Sequence, residues 1–106
     1  MLFRSADVDD ALIATQKTTE RSEALRLQVE ALQDYARLAR KRYEGGYSSF
    51  LEVLDAETSL FNAELLYSQG ERDRLLAHVG LYLALGGGWV DEAATQAPQP
   101  VALPAQ

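Results

Sequence analysis

Residues 5–43 carry one apolar row at helical spacing. The segment has no Gly or Pro and is rich in Ala, Leu, Arg, Glu and Gln, all of which favour helix. The row runs through Ala11, Thr15, Thr18, Ser22, Leu25, Val29, Leu32, Ala36, Ala39 and Tyr43, and we call it the first-helix row. Its alternating steps of four and three residues are typical of a left-handed coiled coil. Its first four members are small or polar, so this half needs another covering surface or faces water.

The second helical segment, about residues 49–85, has two apolar rows instead of one. The long row comprises Leu51, Leu54, Thr58, Phe61, Leu65, Ser68, Arg72, Leu75, Val79 and Tyr82. The short row comprises Val53, Ala56, Leu60, Ala63, Tyr67 and Gly70. At about 100° per residue the two rows lie on roughly opposite sides of the helix. This pattern favours a helix with neighbours on both sides, a stave in a wall or barrel, over a member of an ordinary three- or four-helix bundle.

Two polar strips separate the long row from the short row. The polar face comprises Glu52, Asp55, Ser59, Asn62, Leu66, Gln69 and Asp73, and the acidic row comprises Glu57, Glu64 and Glu71. Six of the seven positions of the polar face are polar. We therefore expect water on both faces of the helix that its neighbours leave open.

Glycines and serines mark the ends of the segments. Gly45-Gly46 after a basic last turn predicts a helix stop, and Ser49 with Glu52 three residues later predicts an N-cap with a capping box. The connection, about residues 44–48, is short enough to favour an antiparallel hairpin. Three glycines at 86–88 predict the end of the second helix at about residue 85. We therefore expect an all-α fold, a long antiparallel helical hairpin over residues 1–89, followed by a flexible Pro/Ala/Gln tail over residues 90–106.

The composition disfavours several classes of function. The 106 residues carry a net charge of −6, no cysteine and a single histidine, which disfavours nonspecific nucleic-acid binding, disulfides and thiolate metal sites. No cluster offers a nucleophile and a base together, so we expect neither an enzyme nor a cofactor or metal. No run approaches the roughly 20 apolar residues of a membrane-spanning helix. A signal peptide is not expected either, because acidic residues follow the N-terminus too closely.

Charge is distributed unevenly along the chain. Residues 1–43 sum to +1 and residues 44–106 to −7. Glu52 and Asp55 lie one helical turn apart on one face at the start of the second segment, where the helix dipole favours acids. Most simply, these carboxylates are helix-terminus and surface charges. Alternatively, they form a negatively charged ring when copies of the chain surround a pore.

The region around the connection resembles a known family. Residues 42–56, RYEGGYSSFLEVLDA, are similar to the segment RY-x-x-G-x-x-x, two hydrophobic residues, then (D/E)-V-L-D-A, of TolC-like outer membrane efflux proteins. Residues 60–64 and the start of the chain, residues 3–12, also resemble that family. Residues 81–89 resemble its outer membrane lipoprotein branch, which serves resistance-nodulation-division pumps. The resemblance covers about residues 2–89.

The resemblance implies a role in a tripartite efflux system. In such channels a homotrimer builds a long periplasmic α-barrel, and this hairpin would be the second of two repeats in each protomer. Its tip would meet a periplasmic adaptor protein that links the channel to an inner membrane pump. The residues implied at the tip are Tyr43, Gly45, Gly46, Tyr47, Ser48 and Ser49. Asp55 would supply the acidic pore constriction with Glu52 beside it, whereas Tyr43 would help to link neighbouring helices in the closed state.

The sequence departs from the family pattern at one position of the turn, and several segments of the family are missing from it. Some relatives carry a basic residue two positions after the turn glycine, where this chain has Ser48, so the closed state would rest on other contacts. Membrane strands, a lipid-bearing cysteine and a first repeat are missing from the sequence, so we expect it to be a C-terminal fragment. The alternative function is a free-standing coiled-coil hairpin that oligomerises or binds an adaptor.

Overall fold

Two long helices make up the fold. The computed structural model describes residues 5–96, and the side chains of residues 6–86 within them. Helix α1 (Ser5–Glu44) and helix α2 (Phe50–Gln96) run antiparallel and are joined by five residues. The all-α antiparallel hairpin predicted from the sequence is confirmed. Over the described residues, neither helix is both long enough and apolar enough to cross a membrane.

The hairpin is held together by a seam of small side chains. The short row of α2 packs against the first-helix row of α1, and the core consists of Ala36, Ala39, Val53 and Ala56 with Leu60 beside them. Val53 and Ala56 are 0% exposed. Small residues at the contact let the two helix axes approach closely, so the core is a narrow seam near the tip.

The long row of α2 takes no part in this seam. Leu51, Phe61 and Tyr82 are 65%, 62% and 70% exposed, and the other large apolar members of the row are exposed as well. Helix α1 likewise exposes Leu27 and Leu38. One of the two predicted rows therefore closes the hairpin and the other remains uncovered, and a second neighbour for α2 stays a prediction.

The small, polar half of the first-helix row is covered by α2. The Thr15 hydroxyl donates to the Ala11 carbonyl at 2.9 Å, and the Thr18 hydroxyl donates to the Ala14 carbonyl at 2.7 Å. Both threonines are half-buried, and the Thr15 hydroxyl also lies 3.5 Å from the carbonyl oxygen of Ala77 on α2. Since their hydroxyls bond within their own helix, these residues face α2 without leaving an unpaired polar group.

The helices also approach closely where Ser22 meets Gly70. Ser22 is 2% exposed, and its hydroxyl donates to Oε1 of Glu71 at 2.7 Å. This hydrogen bond is the main cause that lowers the pKa of the Glu71 carboxyl, and Tyr67 and Arg74 act in the same direction. A Cβ atom on Gly70 would lie 2.8 Å from Cδ1 of Leu25. Glycine at position 70 thus keeps the crossing close enough for the Ser22–Glu71 bond.

The end of α2 differs from the sequence-based prediction. The helix does not stop at about residue 85 but continues through Gly86–Gly88 to Gln96. A glycine ends a helix when it adopts a left-handed conformation, and among the described residues only Gly46 has a positive φ. The expectation of a non-helical tail is therefore wrong for residues 90–96, and residues 97–106 lie outside the described part of the chain.

Two glycines in α2 give a matched test of this packing. Gly80→Ala should raise the free energy of unfolding by about 0.8–1 kcal/mol, because alanine favours helix and a Cβ at Gly80 has nothing within 4 Å. Gly70→Ala should gain less or lose stability, because Leu25 must move. Urea unfolding of the chain and both variants, followed by circular dichroism, measures the difference. Equal gains at both positions would contradict the close crossing at Gly70.

Candidate functional site

The five-residue turn closes on backbone hydrogen bonds. Gly46 has φ +81°, the left-handed conformation that ends many helices. The Tyr47 N–H donates to the Arg42 carbonyl at 2.7 Å, and the Gly46 N–H donates to the Tyr43 carbonyl at 3.0 Å. These two bonds form a Schellman motif, which satisfies carbonyls at the end of α1. The helix stop predicted at Gly45-Gly46 is therefore found.

Aromatic side chains surround the turn. The rings of Tyr43 and Phe50 pack at 5.3 Å between centroids, tilted by 56°, and link the last turn of α1 to the first turn of α2. Tyr47 is 82% exposed. A Cβ on Gly45 would lie 3.0 Å from the Tyr47 ring, so glycine makes room for that ring. The tip thus presents a broad aromatic surface next to a fixed backbone corner.

The predicted capping box does not form at the serines of the turn. Ser49 directly precedes α2 as expected, but the Glu52 N–H donates to the Ser49 carbonyl at 3.1 Å. Neither side-chain bond of a capping box forms between these two described residues. The Ser48 hydroxyl oxygen is buried without a hydrogen-bond partner within the described residues.

Glu52 turns toward α1 instead. Its Oε1 lies 3.6 Å from Nη1 of Arg42, and its side chain is 27% exposed. Asp55 is exposed and forms no ion pair within residues 6–86. The structure therefore places both predicted carboxylates on the polar face near the tip, but in different environments. Within those same residues no group of His, Asp and Glu has the arrangement of a metal site.

Sequence reasoning missed the role of Arg42. Arg42 belongs to the basic last turn of α1, and the opposite charge of Glu52 follows a short distance beyond the turn. In an antiparallel hairpin, residues at similar distances from the turn lie beside each other. A search for opposite charges placed symmetrically about the turn would have found this pair.

Comparison with known proteins decides the family. Residues 5–87 match the family described as outer membrane efflux protein. The chain belongs to this family. It is 42% identical over 86 residues to the probable efflux pump outer membrane protein TtgC of Pseudomonas putida, which is 81% of this chain and 18% of TtgC. No solved structure matches the chain.

Two further outer membrane proteins are also similar to the chain. The outer membrane protein OprJ of Pseudomonas aeruginosa is 39% identical over 83 residues, which is 78% of this chain and 17% of OprJ. The probable outer membrane lipoprotein SilC of Salmonella typhimurium is 35% identical over 85 residues, which is 80% of this chain and 18% of SilC. The chain thus spans less than a fifth of the length of these relatives. The resemblance inferred from residues 42–56 is confirmed at the level of the family.

The left-handed turn residue of this outer membrane efflux hairpin can be tested directly. Gly46→Ala should lower the free energy of unfolding by about 1–2 kcal/mol, because a Cβ is strained at positive φ. Space is not the cause, since a Cβ there would have nothing within 4 Å. Gly46→Asn is the matched control and should cost less, because asparagine tolerates this conformation. Urea unfolding midpoints that are equal for the parent chain and both variants would contradict the strain argument.

Proposed function

We propose that this hairpin is one stave of the periplasmic wall of an outer membrane efflux channel, part of the exit duct for drugs or other small molecules. Its tip turn would form the periplasmic gate of that duct. The observation that carries the proposal is the uncovered long row of α2 in a chain that belongs to the outer membrane efflux protein family. No catalytic step is assigned to it.

Uncovered apolar surface on both helices supports neighbours on both sides. The long row of α2 is exposed on one side, and Leu27 and Leu38 of α1 are exposed as well. Full burial of one such side chain contributes about 1.5–3 kcal/mol, so covering several of them favours a closed wall of helices. In the full-length context we propose a homotrimer in the outer membrane, with this segment in the periplasm.

The polar face then suits the wall of an aqueous duct. Glu52 and Asp55 lie near the tip, where a closed wall would be narrowest, and Asp55 is exposed. Three copies of a carboxylate around a narrow mouth raise the local concentration of cations and hold back anions. We assign the constriction to Asp55, with Glu52 as the neighbouring acidic position.

The tip suits contact with a partner. It comprises Tyr43, Gly45, Gly46, Tyr47, Ser48 and Ser49, of which Ser48 is half-buried and the others are exposed, with Tyr47 the most exposed large side chain. We propose that a periplasmic adaptor protein, joined to an inner membrane pump, binds here. Adaptor contacts that favour an open arrangement of the helix pairs would shift the gate toward that state.

Self-association tests the stave against a free-standing hairpin that stays monomeric. The chain alone should form oligomers, because the long row is otherwise exposed, and Phe61→Gln with Leu65→Gln should weaken them. Leu66→Gln is the matched control, since Leu66 is an exposed apolar residue of the polar face. Size-exclusion chromatography with light scattering measures the mass. A folded, monomeric parent chain would argue against the stave and favour the alternative, a free hairpin that binds an adaptor.

Conductance tests the constriction. The hairpin replaces the matching segment of a full-length relative, and single-channel currents are recorded in planar bilayers. Asp55→Asn should lower the preference for cations over anions, because it removes a carboxylate from the mouth. Glu64→Gln is the matched control, since it removes an exposed acid of the acidic row, off the polar face. Unchanged currents in Asp55→Asn would count against the assignment.

A further inference from the structure

The polar face carries three acids, and they differ in their partners. Glu52 lies 3.6 Å from Arg42, and Asp73 lies 3.4 Å from Arg21, so each of these acids has an arginine from α1 beside it. Asp55 lies between them along α2 and has no ion pair within residues 6–86. Two of the three negative charges on this face are thus compensated inside the hairpin.

The backbone of Arg42 takes part in the turn, and its side chain lies beside Glu52. Its carbonyl accepts the Tyr47 N–H at 2.7 Å, one of the two bonds that end α1. The same residue therefore closes the turn and carries the guanidinium that faces the first turn of α2. A substitution at this position therefore removes the charge, whereas the backbone carbonyl can still accept the Tyr47 N–H.

The helix ends reinforce the Arg42–Glu52 pair. Arg42 lies in the last turn of α1, where a cation is favoured, and Glu52 lies in the first turn of α2, where an anion is favoured. Both groups are partly exposed, with side-chain exposures of 50% and 27%. Salt should therefore screen the pair, as it does other surface ion pairs.

We propose that Arg42 sets the charge selectivity of the tip: it neutralises Glu52, so Asp55 supplies the net negative charge that each copy presents at the mouth. The proposal rests on the proposed pore function and adds a residue to it. Glu52 then serves mainly to tie α2 to the end of α1. Arg42 is a positioning and selectivity residue, and it has no catalytic role.

A second arginine in the C-terminal part of α1 provides the matched control. Arg37 is paired with Asp34 on its own helix, so its charge is compensated within α1 and it makes no bond to α2 within the described side chains. Arg37→Gln removes the same charge as Arg42→Gln, in the same helix and close to the same turn. Only the loss of Arg42 should change the net charge at the polar face.

The experiment uses the full-length relative that carries this hairpin, with the variants R42Q, E52Q, R42Q/E52Q, D55N and R37Q. Reversal potentials in a KCl gradient give the permeability ratio of K⁺ to Cl⁻. At about 0.1 M salt, where charges act over about 10 Å, R42Q should raise the ratio and E52Q should lower it. The double variant should return to the parental ratio, and R37Q should not change it. All shifts should fade at about 1 M salt, where the screening length is about 3 Å.

A second measurement tests the pair itself. Hydrogen exchange of the same channels, read by mass spectrometry on peptides that cover the turn, should speed up equally in R42Q and E52Q. The double variant should be no faster than either single variant, because all three lose one shared contact.

The outcomes separate the two proposals. A double variant with the selectivity of E52Q, or exchange rates that increase independently in R42Q and E52Q, overturns the role of Arg42 while the pore assignment stands. A D55N channel that conducts with parental selectivity overturns the pore assignment and, with it, the selectivity role of Arg42.

Discussion

The contact of small side chains along one seam determines the rest of this molecule. Ala36 and Ala39 of α1 meet Val53 and Ala56 of α2 with almost no exposed surface. Side chains of this size bring two helix backbones close together, and dispersion contacts along the seam then hold them. Larger residues in these positions would separate the helices and break the polar contacts that flank the seam, including those of Ser22 with Glu71 and of Arg42 with Glu52.

Because the seam is narrow, the larger apolar side chains lie elsewhere. Phe61, Leu65 and Leu75 point away from α1 and remain exposed. A hairpin that kept its large residues for its own core would gain stability as a monomer and lose the surface on which neighbours pack. The distribution of sizes between the short row and the long row therefore links the fold of one hairpin to the assembly that we propose for it.

Much of this architecture could be predicted from the sequence, because it depends on local rules. The heptad rows follow from helical periodicity, and the turn follows from the ability of Gly46 to adopt a positive φ. The partner of Glu52 was harder to predict, because a capping box and an ion pair with Arg42 are both compatible with the sequence and compete for one carboxylate. Only the geometry of the two helices decides between them.

The different effects of the two glycine runs on their helices could not be predicted from the sequence alone. Gly45-Gly46 ends a helix and Gly86–Gly88 does not, although both are runs of the same residue. Glycine permits a left-handed corner without requiring one, so its effect depends on whether the following residues supply the closing bonds. At Gly46, Tyr47 supplies its N–H. Ser22 and Gly70 could be placed on the two packing rows, but the Ser22–Glu71 hydrogen bond could not be predicted, because a buried serine beside a glycine has no distinctive pattern.

The turn at the tip can keep its backbone path while its side chains change. The hydrogen bonds that build the turn between Lys41 and Glu52 join backbone groups only. Its backbone path depends on side-chain identity at few positions, chiefly Gly46 with its positive φ and Gly45, which makes room for the Tyr47 ring. The exposed side chains of the turn can therefore be substituted one at a time while the backbone keeps its conformation. Recognition can then diverge among related hairpins although the path of the chain stays the same.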